Sequence, residues 1–560
     1  MPVRQVRRRV APQKAQDVMR ACPLGVSISQ LSQLTETCGQ RCSRWQLDRA
    51  LRRVVPEMTP NGPLFRTFSA PAKNNNKPDL DVVYLDPGGT ATLIAQQTAQ
   101  FWPALSEVHV RTNGCIGLWL YCDGVTGGNV LNVKHAKEGH LVYWSIEDFG
   151  TQRLKQEQWW IPFATIRVND EKDIDGGLTT IWTKILEVFF GTGATYNFQV
   201  WNRQGEVLRF EMALKKCLMD EAAEMQVNGS KGASGNKPCM KCQNVVHMKT
   251  KLELHSQTLV NIGEHRVNKI AFHTNSSIFN IWDELRERHG SRGFADMEKR
   301  LGFSWHYMAP LAQPFLRPVL KPVEQTVVDA MHTYVASNGI FQSELIQLAL
   351  ACEYKTDNKL NLDSIGKFCS KGSWETVGSH RGWFTERVMS ASKSSGYYRG
   401  SAGECLSLFR IVAYWCESVA LTWPQLVNEA KSMMALCWVM ESVLLPGIVV
   451  SSHVDSIAAR VDAASKHLEL FKRAYPEQVP RHKHHQSIHC AFQLGDPNCF
   501  VGERKNKKYK TAVKNVHLAD DQSCQWSRHL LSRMLADQLN MIDRSLAPGV
   551  VLVDPAPVRG

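Results

Sequence analysis

The pattern of apolar and polar positions changes twice along the chain, and each part predicts a different type of element. Short apolar runs rich in aromatic and β-branched residues predict strands at 117–125, 140–149 and 159–168. A helical period then covers 176–193, with apolar residues at Leu178, Ile181, Trp182, Ile185, Leu186 and Phe189. Strand-like runs return at 197–201 and 207–220. This order of strands, helix and strands predicts an α/β domain.

Beyond residue 310 the apolar positions recur mainly at helical spacing. Four long segments, 323–355, 404–421, 423–445 and 453–475, predict a block of helices that is too large to be a loop. A last amphipathic helix is predicted at 522–543, before a Pro- and Gly-rich tail. The apolar run 433–450 is nearly long enough to cross a membrane, but Glu441 and Pro446 interrupt it and favour a buried helix.

The first 70 residues differ from the rest. Residues 1–20 form a basic arm, and two short helices at 30–36 and 44–54 precede a possible strand at 63–70. This arrangement is typical of a helix-turn-helix or winged-helix module, although a helical cap on the main domain explains it equally well. The polar, Asn-rich stretch 70–79 holds two prolines and predicts a linker.

Composition narrows the class of protein. The 560 residues are 43% hydrophobic, which is typical of folded proteins and predicts two to four domains. A net charge of +13 and a pI near 9.0 are compatible with a polyanionic partner such as nucleic acid. The 16 cysteines are scattered at irregular spacing, which predicts a reducing compartment with one metal site and not a disulfide scaffold. The Arg-rich N-terminus lacks the apolar core of a secretory signal.

Candidate chemistry concentrates at the ends of the predicted strands. Asp123 ends the first strand and Asp220 ends the last, and carboxylates are the ligands that divalent cations such as Mg²⁺ prefer. A Pro-Cys-x-x-Cys segment follows at Cys239 and Cys242, and thiolates at this spacing are typical of zinc sites. Either acid taken alone is more typical of an ordinary turn residue at a strand end than of a metal ligand.

Four landmarks in this order support a family resemblance. They are Asp123 at a strand end, Asp220 followed by GASGNKPCMKC, the segment VVDAMHTY at 327–334, and HKHHQSIH followed by CFVGERKNKK. Over about residues 115–515, the chain resembles the eukaryotic cut-and-paste transposases of the KDZ, Plavaka and CACTA-related group, which are more distantly related to hAT elements. The resemblance implies a ribonuclease-H-like mixed sheet interrupted by a large helical insertion with a zinc knuckle, in addition to the small N-terminal unit.

The resemblance also assigns roles to single residues. The Asp-Asp-Glu triad, which binds Mg²⁺ or Mn²⁺, would be Asp123, Asp220 and Glu503, with Glu344 and Glu324 as alternatives for the third acid. Asp329 and His332 match the family's Asp-x-Met-His motif. Structural zinc would be held by Cys239 and Cys242 with two histidines; His247 and His255 are the first candidates, and His273 and His332 the others. DNA phosphates would be contacted by basic residues, namely Arg49, Arg52, Lys483, Arg504, Lys505, Lys507 and Lys508.

The predicted organisation follows from these assignments. A DNA-binding unit spans 1–72, and the catalytic domain spans 80–232 and returns at 481–545 with the glutamate and its basic run. Between them lie a zinc-knuckle region at 233–275 and the helical insertion at 276–480, and 546–560 is a tail. The expected protein is a nuclear transposase that acts on DNA as a homo-oligomer without a membrane. The alternatives are an inactive, transposase-derived DNA-binding protein and an unrelated zinc-stabilised nucleic-acid-binding or assembly protein.

Overall fold

The computed structural model describes residues 55–126, 138–248, 258–336, 338–371, 374, 383–444, 456–493, 496, 498–515 and 523–544. Within these residues the chain divides into two compact units. The first contains the described residues up to Cys217, Gln313–Leu320 and those from Val501 onward. The second contains Leu218–Ala312 and the described part of Lys321–Phe500.

The elements are numbered here in chain order. The main strands are β1 Phe65–Ala70, β2 Leu80–Leu85, β3 Cys115–Thr126, β4 Glu138–Ile146, β5 Ile161–Arg167, β6 Tyr196–Trp201 and β7 Val207–Met219. The main helices are α1 Pro87–Gln97, α2 Phe101–Thr112, α3 Val168–Asp173, α4 Leu178–Phe190, α5 Glu221–Val227, α6 Asn275–Arg288, α7 Phe294–Leu301, α8 Ala330–Tyr334, α9 Ile340–Lys355, α10 Leu362–Lys371, α11 Glu386–Ser395, α12 Ala402–Ser418, α13 Val427–Leu444, α14 Ile457–Ala474, α15 His482–Phe492, α16 Cys499–Asn515 and α17 Ser523–Arg544. Short two-residue strands lie at Met58–Thr59, Gly62–Pro63, Val245–Val246, Val260–Asn261 and Thr326–Val327, and four-residue helices at Thr151–Leu154 and Pro322–Gln325.

The first unit is an α/β domain, as the strand and helix pattern predicts. Its sheet has the order β7-β3-β4-β5-β2-β1, and β6 pairs with β7. The strands β3, β4 and β5 form an antiparallel meander, which places β3 between β4 and β7. All seven residues of β5 are buried, which agrees with its mainly apolar sequence. The helices α4 and α17 pack on this sheet and bury its apolar residues.

The stretch predicted as a linker is the loop of a hairpin. β1 pairs antiparallel with β2 from Phe65↔Leu85 to Ala70↔Leu80, so residues 71–79 only reverse the chain direction. β1 therefore belongs to the edge of the main sheet and not to a separate N-terminal module. The basic arm, both predicted short helices and the C-terminal tail lie outside the described residues.

The second unit is mainly helical. α13 packs against α9, α12 and α14, and α14 packs against α15, so the long predicted segments form one bundle. Segment 323–355, however, is not one helix. Asp329 caps α8, whose chain continues through Asn338 in the left-handed conformation (φ 63°) before α9 begins. An aspartate that caps a helix and an asparagine in the left-handed region are both typical helix boundaries.

Among the described residues, one helical segment, Ala402–Thr422, is long and apolar enough to cross a membrane by length and composition alone, and 44% of its apolar window is buried. The run at 433–450, for which the sequence favours a buried helix, begins within α13. Met433, Leu436, Met440 and Leu444 of that helix are buried, and residues 445–450 lie outside the described part.

A close approach of helix α16 to strand β3 organises one face of the first unit's sheet. Gly502 of α16 lies so near Tyr121 of β3 that a Cβ at this position would meet the phenol ring at 2.0–2.2 Å. No side chain larger than hydrogen fits there unless the ring or the helix moves. The same face of α16 also buries Lys505, Asn506 and Tyr509, which recur at helical spacing.

We expect Gly502→Ala to destabilise the first unit by about 1–3 kcal/mol, because the added methyl group forces Tyr121 out of its position. Urea denaturation followed by tryptophan fluorescence measures this change. The matched control is Gly124→Ala on strand β3, since a Cβ at Gly124 would meet nothing within 4 Å. Equal midpoints for Gly502→Ala and the unmodified protein would show that the helix does not depend on this contact.

Candidate metal centre

The two cysteines of the Pro-Cys-x-x-Cys segment lie on a tight turn in the second unit. The Cys242 N–H donates to the Cys239 carbonyl at 3.3 Å. The backbone of Cys242 also forms an isolated antiparallel β-bridge with that of Phe272. Asn244 fixes the chain behind the turn, since its amide donates to the carbonyls of Thr258 and Lys269 at 2.7 and 2.8 Å. Both sulfur atoms therefore point from a rigid loop into the protein interior, where Cys239 and Cys242 are buried.

Two histidines of helix α15 face this turn. His485 and His489 are four residues apart, so a helix places them on the same side, one turn above the other. Both side chains are buried. Their Nε2 atoms lie 3.1 Å from each other. The His489 ring also makes an edge contact with Phe272, with the centroids 5.8 Å apart.

The four ligand atoms have the spacing of a tetrahedral site. Cys239 Sγ lies 3.2 Å from His489 Nε2, and Cys242 Sγ lies 3.3 Å from the Nε2 atoms of both histidines. In a zinc tetrahedron with Zn–S of about 2.3 Å and Zn–N of about 2.0 Å, neighbouring ligand atoms are roughly 3.3–3.8 Å apart. The observed distances are slightly shorter and need only a small expansion around an ion. Cys239, Cys242, His485 and His489 therefore form a buried Cys2His2 cluster that fits a structural metal ion.

The electrostatics of the cluster favour a bound cation. Burial alone disfavours a thiolate at Cys239, but Cys242, His489 and His485 outweigh it and hold the Cys239 pKa well below its ordinary value. Burial, together with the neighbouring Cys239, raises the pKa of Cys242 well above its ordinary value. Without a cation, only one of the two thiols ionises readily, because two thiolates at this distance repel each other. A divalent ion removes that repulsion and stabilises both thiolates.

An ion pair adjoins the cluster. His482, at the start of α15, places Nδ1 2.9 Å from Glu221 Oε1 on helix α5. Glu221, Glu224, Lys241 and His482 line one pocket together with the ligands Cys239 and His489. The metal centre therefore borders a polar pocket on one side, while Phe272 covers another.

The structure places the two predicted cysteines in the cluster together with His485 and His489, which the sequence did not single out as zinc ligands. His247 lies outside the four-residue cluster, and His255 is not among the described residues. His273 Nδ1 is hydrogen-bonded to Ser277 Oγ at 2.7 Å, and His273 also lies outside the cluster. The two histidines of the cluster lie 243 and 247 positions beyond Cys242, which the spacing within a loop does not predict. The local signal was the His-x-x-x-His spacing of 485 and 489 on a helix, which is typical of a metal-binding face.

The predicted Asp-x-Met-His motif has a structural role in the second unit. Asp329 is buried, and its carboxylate accepts from the Cys499 N–H at 2.8 Å and from the His332 N–H at 2.8 Å. His332 Nδ1 lies 2.6 Å from the same carboxylate. Burial alone would raise the Asp329 pKa, but these hydrogen bonds and the His332 charge lower it. Asp329, His332 and Cys499 also form a second group with metal-ligand spacing among the described residues.

The predicted first acid is buried on the sheet of the first unit. Asp123 lies within β3, opposite Leu141 of β4, and is 7% exposed. Its Oδ2 accepts hydrogen bonds from Tyr121 Oη and from Asn506 Nδ2, each at 2.8 Å. Two neutral donors therefore hold one oxygen of this carboxylate.

The other two predicted acids occupy helix starts. Asp220 follows β7 directly and is the N-cap of α5, where its Oδ1 accepts from the Ala223 N–H at 2.7 Å. Glu221 and Glu224 lie in the first turn of that helix, where the helix dipole favours acidic side chains. Glu503 lies in the first turns of α16 and is exposed. Neither metal-ligand group found among the described residues contains Asp123, Asp220 or Glu503.

The alternative acids have other partners. Glu344 is fully buried in the helical bundle, where it lies 2.8 Å from His467 Nε2 and accepts from Ser432 Oγ at 2.7 Å. Glu324 is exposed and accepts from Asn275 Nδ2 at 2.9 Å. Glu344 is therefore a core residue of the bundle.

The structure corrects two of the predicted phosphate contacts. Lys505 is fully buried in the first unit, and its ammonium donates to the Glu157 carbonyl at 3.0 Å and to Trp160 and Gln538. Lys483 is half-buried in the second unit, where its ammonium donates to the His332 and Ala336 carbonyls at 2.8 and 3.2 Å. Both ammonium groups complete the protein's own hydrogen bonds, so neither is available to DNA.

The remaining basic candidates are more accessible. Arg504 and Lys507 of α16 are exposed, and Lys508 is partly exposed. Arg504 and Lys508 share the carboxylate of Glu157, which offsets part of their charge. Arg49 and Arg52 lie outside the described residues.

Comparison with known proteins adds no relative. No protein-family model matches the chain, and a search of curated proteins found no match.

We expect the purified chain to hold about one zinc ion, and we expect Cys239→Ser with His489→Ala to lose it, because two remaining ligands do not close a tetrahedral site. The same double variant should unfold at a lower temperature, since metal binding contributes to folding. Elemental analysis and thermal denaturation measure the two effects.

His247→Ala is the control for this experiment. It removes a histidine that is nearer in sequence to the cysteines but lies outside the cluster, so its zinc content should be unchanged. Zinc loss in His247→Ala, or full zinc content in the double variant, would contradict the assignment.

Proposed function

We propose that the chain is a DNA transposase with a ribonuclease-H-like catalytic domain, which cuts and joins DNA ends with divalent metal ions. The strand order of the first unit is the observation that carries this proposal. In a ribonuclease-H-like sheet, the first strand is antiparallel to the second and lies beside the fourth. Here β3 pairs antiparallel with β4, and its other neighbour is β7, which precedes Asp220 directly. β7 takes the place of the fourth strand because β6, which follows α4, pairs only with β7 and lies off the main order of the sheet.

Helix α16 supports the assignment of the third acid. Glu503 lies on α16 only three residues before Asn506, which donates to Asp123. The helix and strand that carry Glu503 and Asp123 are thus packed on each other. The proposed triad depends on β3, β7 and α16. The sheet order makes β3 and β7 neighbours, and the hydrogen bond from Asn506 to Asp123 joins α16 to β3.

The donor set fits the proposed ions. Asp123, Asp220 and Glu503 offer carboxylate oxygens, which Mg²⁺ and Mn²⁺ prefer. Two such ions would supply an activated water and would stabilise the attacking and leaving oxygens of a phosphodiester. The chain's own residues orient these carboxylates: Tyr121 and Asn506 hold Asp123, and the helix cap holds Asp220. Exposed Arg504 and Lys507 would attract the DNA phosphates.

We also propose that the Cys2His2 cluster holds zinc and stabilises the second unit without taking part in the chemistry. Its ligand set is closed, with four protein ligands, whereas catalytic zinc sites keep a position open. In this interpretation the enzyme is nuclear and acts on DNA as a homo-oligomer, because the two ends of a mobile element have to be processed together.

A non-catalytic descendant that binds DNA is the second candidate. The observation that favours it is the engagement of two acids in structural contacts. Asp220 caps a helix, and Asp123 is buried with neutral donors on one oxygen. Such contacts persist in a fold that has lost its chemistry, so DNA binding without cleavage distinguishes this candidate from an active enzyme.

We expect the full-length protein to nick supercoiled DNA only with Mg²⁺ or Mn²⁺, and we expect Asp123→Asn, Asp220→Asn and Glu503→Gln each to reduce nicking to the protein-free level. The loss follows because an amide is a poor substitute for a charged ligand of a hard cation. Conversion of supercoiled to open-circular DNA on agarose gels measures the rate.

Glu417→Gln on helix α12 is the control, since it removes an exposed acid in the other unit. Its nicking rate should equal that of the unmodified protein. Cleavage that survives all three active-site substitutions would exclude the triad. DNA binding with no cleavage under any metal would support the non-catalytic descendant.

A further inference from the structure

A chain of buried hydrogen bonds joins strand β4, helix α16 and strand β3 in the first unit. Tyr143 Oη of β4 donates to Asn506 Oδ1 at 2.8 Å, and Asn506 Nδ2 donates to Asp123 Oδ2 at 2.8 Å. Tyr121 Oη donates to the same oxygen at 2.8 Å. The Asn506 amide thus accepts through Oδ1 from Tyr143 and donates through Nδ2 to Asp123. These two hydrogen bonds fix the orientation of its side chain, because a flipped amide would lose both.

Packing holds Asn506 in this position. The residue is 2% exposed, and Gly502, one turn before it, allows α16 to approach the Tyr121 ring. Lys505, next to it, is anchored by carbonyls and lies over the Tyr143 ring, with its ammonium 5.0 Å from the centroid. The helix is therefore fixed both along and across the strands at this point.

The side chains in this series of hydrogen bonds present neutral donors to the buried carboxylate of Asp123. Burial raises the Tyr143 pKa well above its ordinary value, and the nearby charges of Asp123 and Glu157 add to the effect, so the phenol keeps its proton. Asn506 and Tyr121 donate to Asp123 Oδ2 without bringing a positive charge to the carboxylate. An anion held this way remains able to attract a cation.

We propose that Asn506, oriented by Tyr143, is a positioning residue that fixes the Asp123 carboxylate for a divalent cation and sets the register of the helix that carries Glu503. The inference rests on the function proposed above. Such outer-shell partners typically alter metal affinity by about 10–100-fold when they are removed. Asn506 does not itself contact the ion or the substrate.

A purely structural role predicts a different result. If Asn506 only joined the helix to the sheet, its loss would lower stability and leave cation affinity unchanged in the molecules that remain folded. Tyr143 and Tyr509 provide a comparison, because their rings stack with centroids 6.5 Å apart and both are fully buried. Tyr143 donates to Asn506, whereas Tyr509 Oη has no hydrogen-bond partner among the described residues.

The test measures binding of Mn²⁺ by electron paramagnetic resonance to the full-length, zinc-loaded protein, with a melting curve for each variant. We expect Asn506→Leu to weaken Mn²⁺ binding by about 10-fold or more. Tyr143→Phe should weaken it several-fold and should also lower the melting temperature, since the buried Asn506 Oδ1 loses its donor. Tyr509→Phe should bind Mn²⁺ as the unmodified protein does.

Each outcome decides one question. If the unmodified protein binds no Mn²⁺ beyond the level of Asp123→Asn, the proposed function fails and this inference fails with it. If the unmodified protein binds Mn²⁺ and Tyr143→Phe binds it equally well, the positioning role alone is overturned. Should Asn506→Leu fail to fold, the comparison of Tyr143→Phe with Tyr509→Phe still decides between the two roles.

Discussion

The second unit depends on a contact between residues that are very distant in sequence. Cys242 and His485 are 243 positions apart, and the segment between them contains the helices α6–α14. Closing a loop of this length costs conformational entropy, which the cysteine turn and α15 offset by burying two sulfur atoms and two imidazoles together. A metal ion at this cluster would stabilise the closed loop, because the unfolded chain offers no preformed site.

The first unit also depends on a contact between residues that are distant in sequence, because helix α16, near the end of the described residues, packs on strand β3. α16 reaches β3 only because Gly502 has no side chain, and the approach brings Asn506 within hydrogen-bond distance of Asp123. The same face of the helix buries Lys505, whose charge is offset by carbonyl oxygens and by the Tyr143 ring. Asn506 and Lys505 both have buried hydrogen-bond partners at this interface, so it is specific as well as apolar.

The chemistry of the two sites is distinct in its ligands. The Cys2His2 cluster offers thiolates and imidazoles, which suit zinc, while the proposed triad offers only carboxylates, which suit Mg²⁺ or Mn²⁺. Soft ligands and hard ligands lie on separate elements, which suits the two roles that we propose, a structural role for zinc and a catalytic role for Mg²⁺ or Mn²⁺.

Periodicity and turn chemistry in the sequence determined much of the local structure. The three strands of the meander, the amphipathic helix α4, the helical block and the cysteine turn all follow from patterns within 10–20 residues, because local propensity and burial agree there. Tertiary structure alone decided which distant residues meet. It selected His485 and His489 over His247, turned the polar stretch 71–79 into a hairpin loop, and buried Lys505 within a basic run. These outcomes depend on packing between residues that are far apart in sequence, which local patterns alone do not determine.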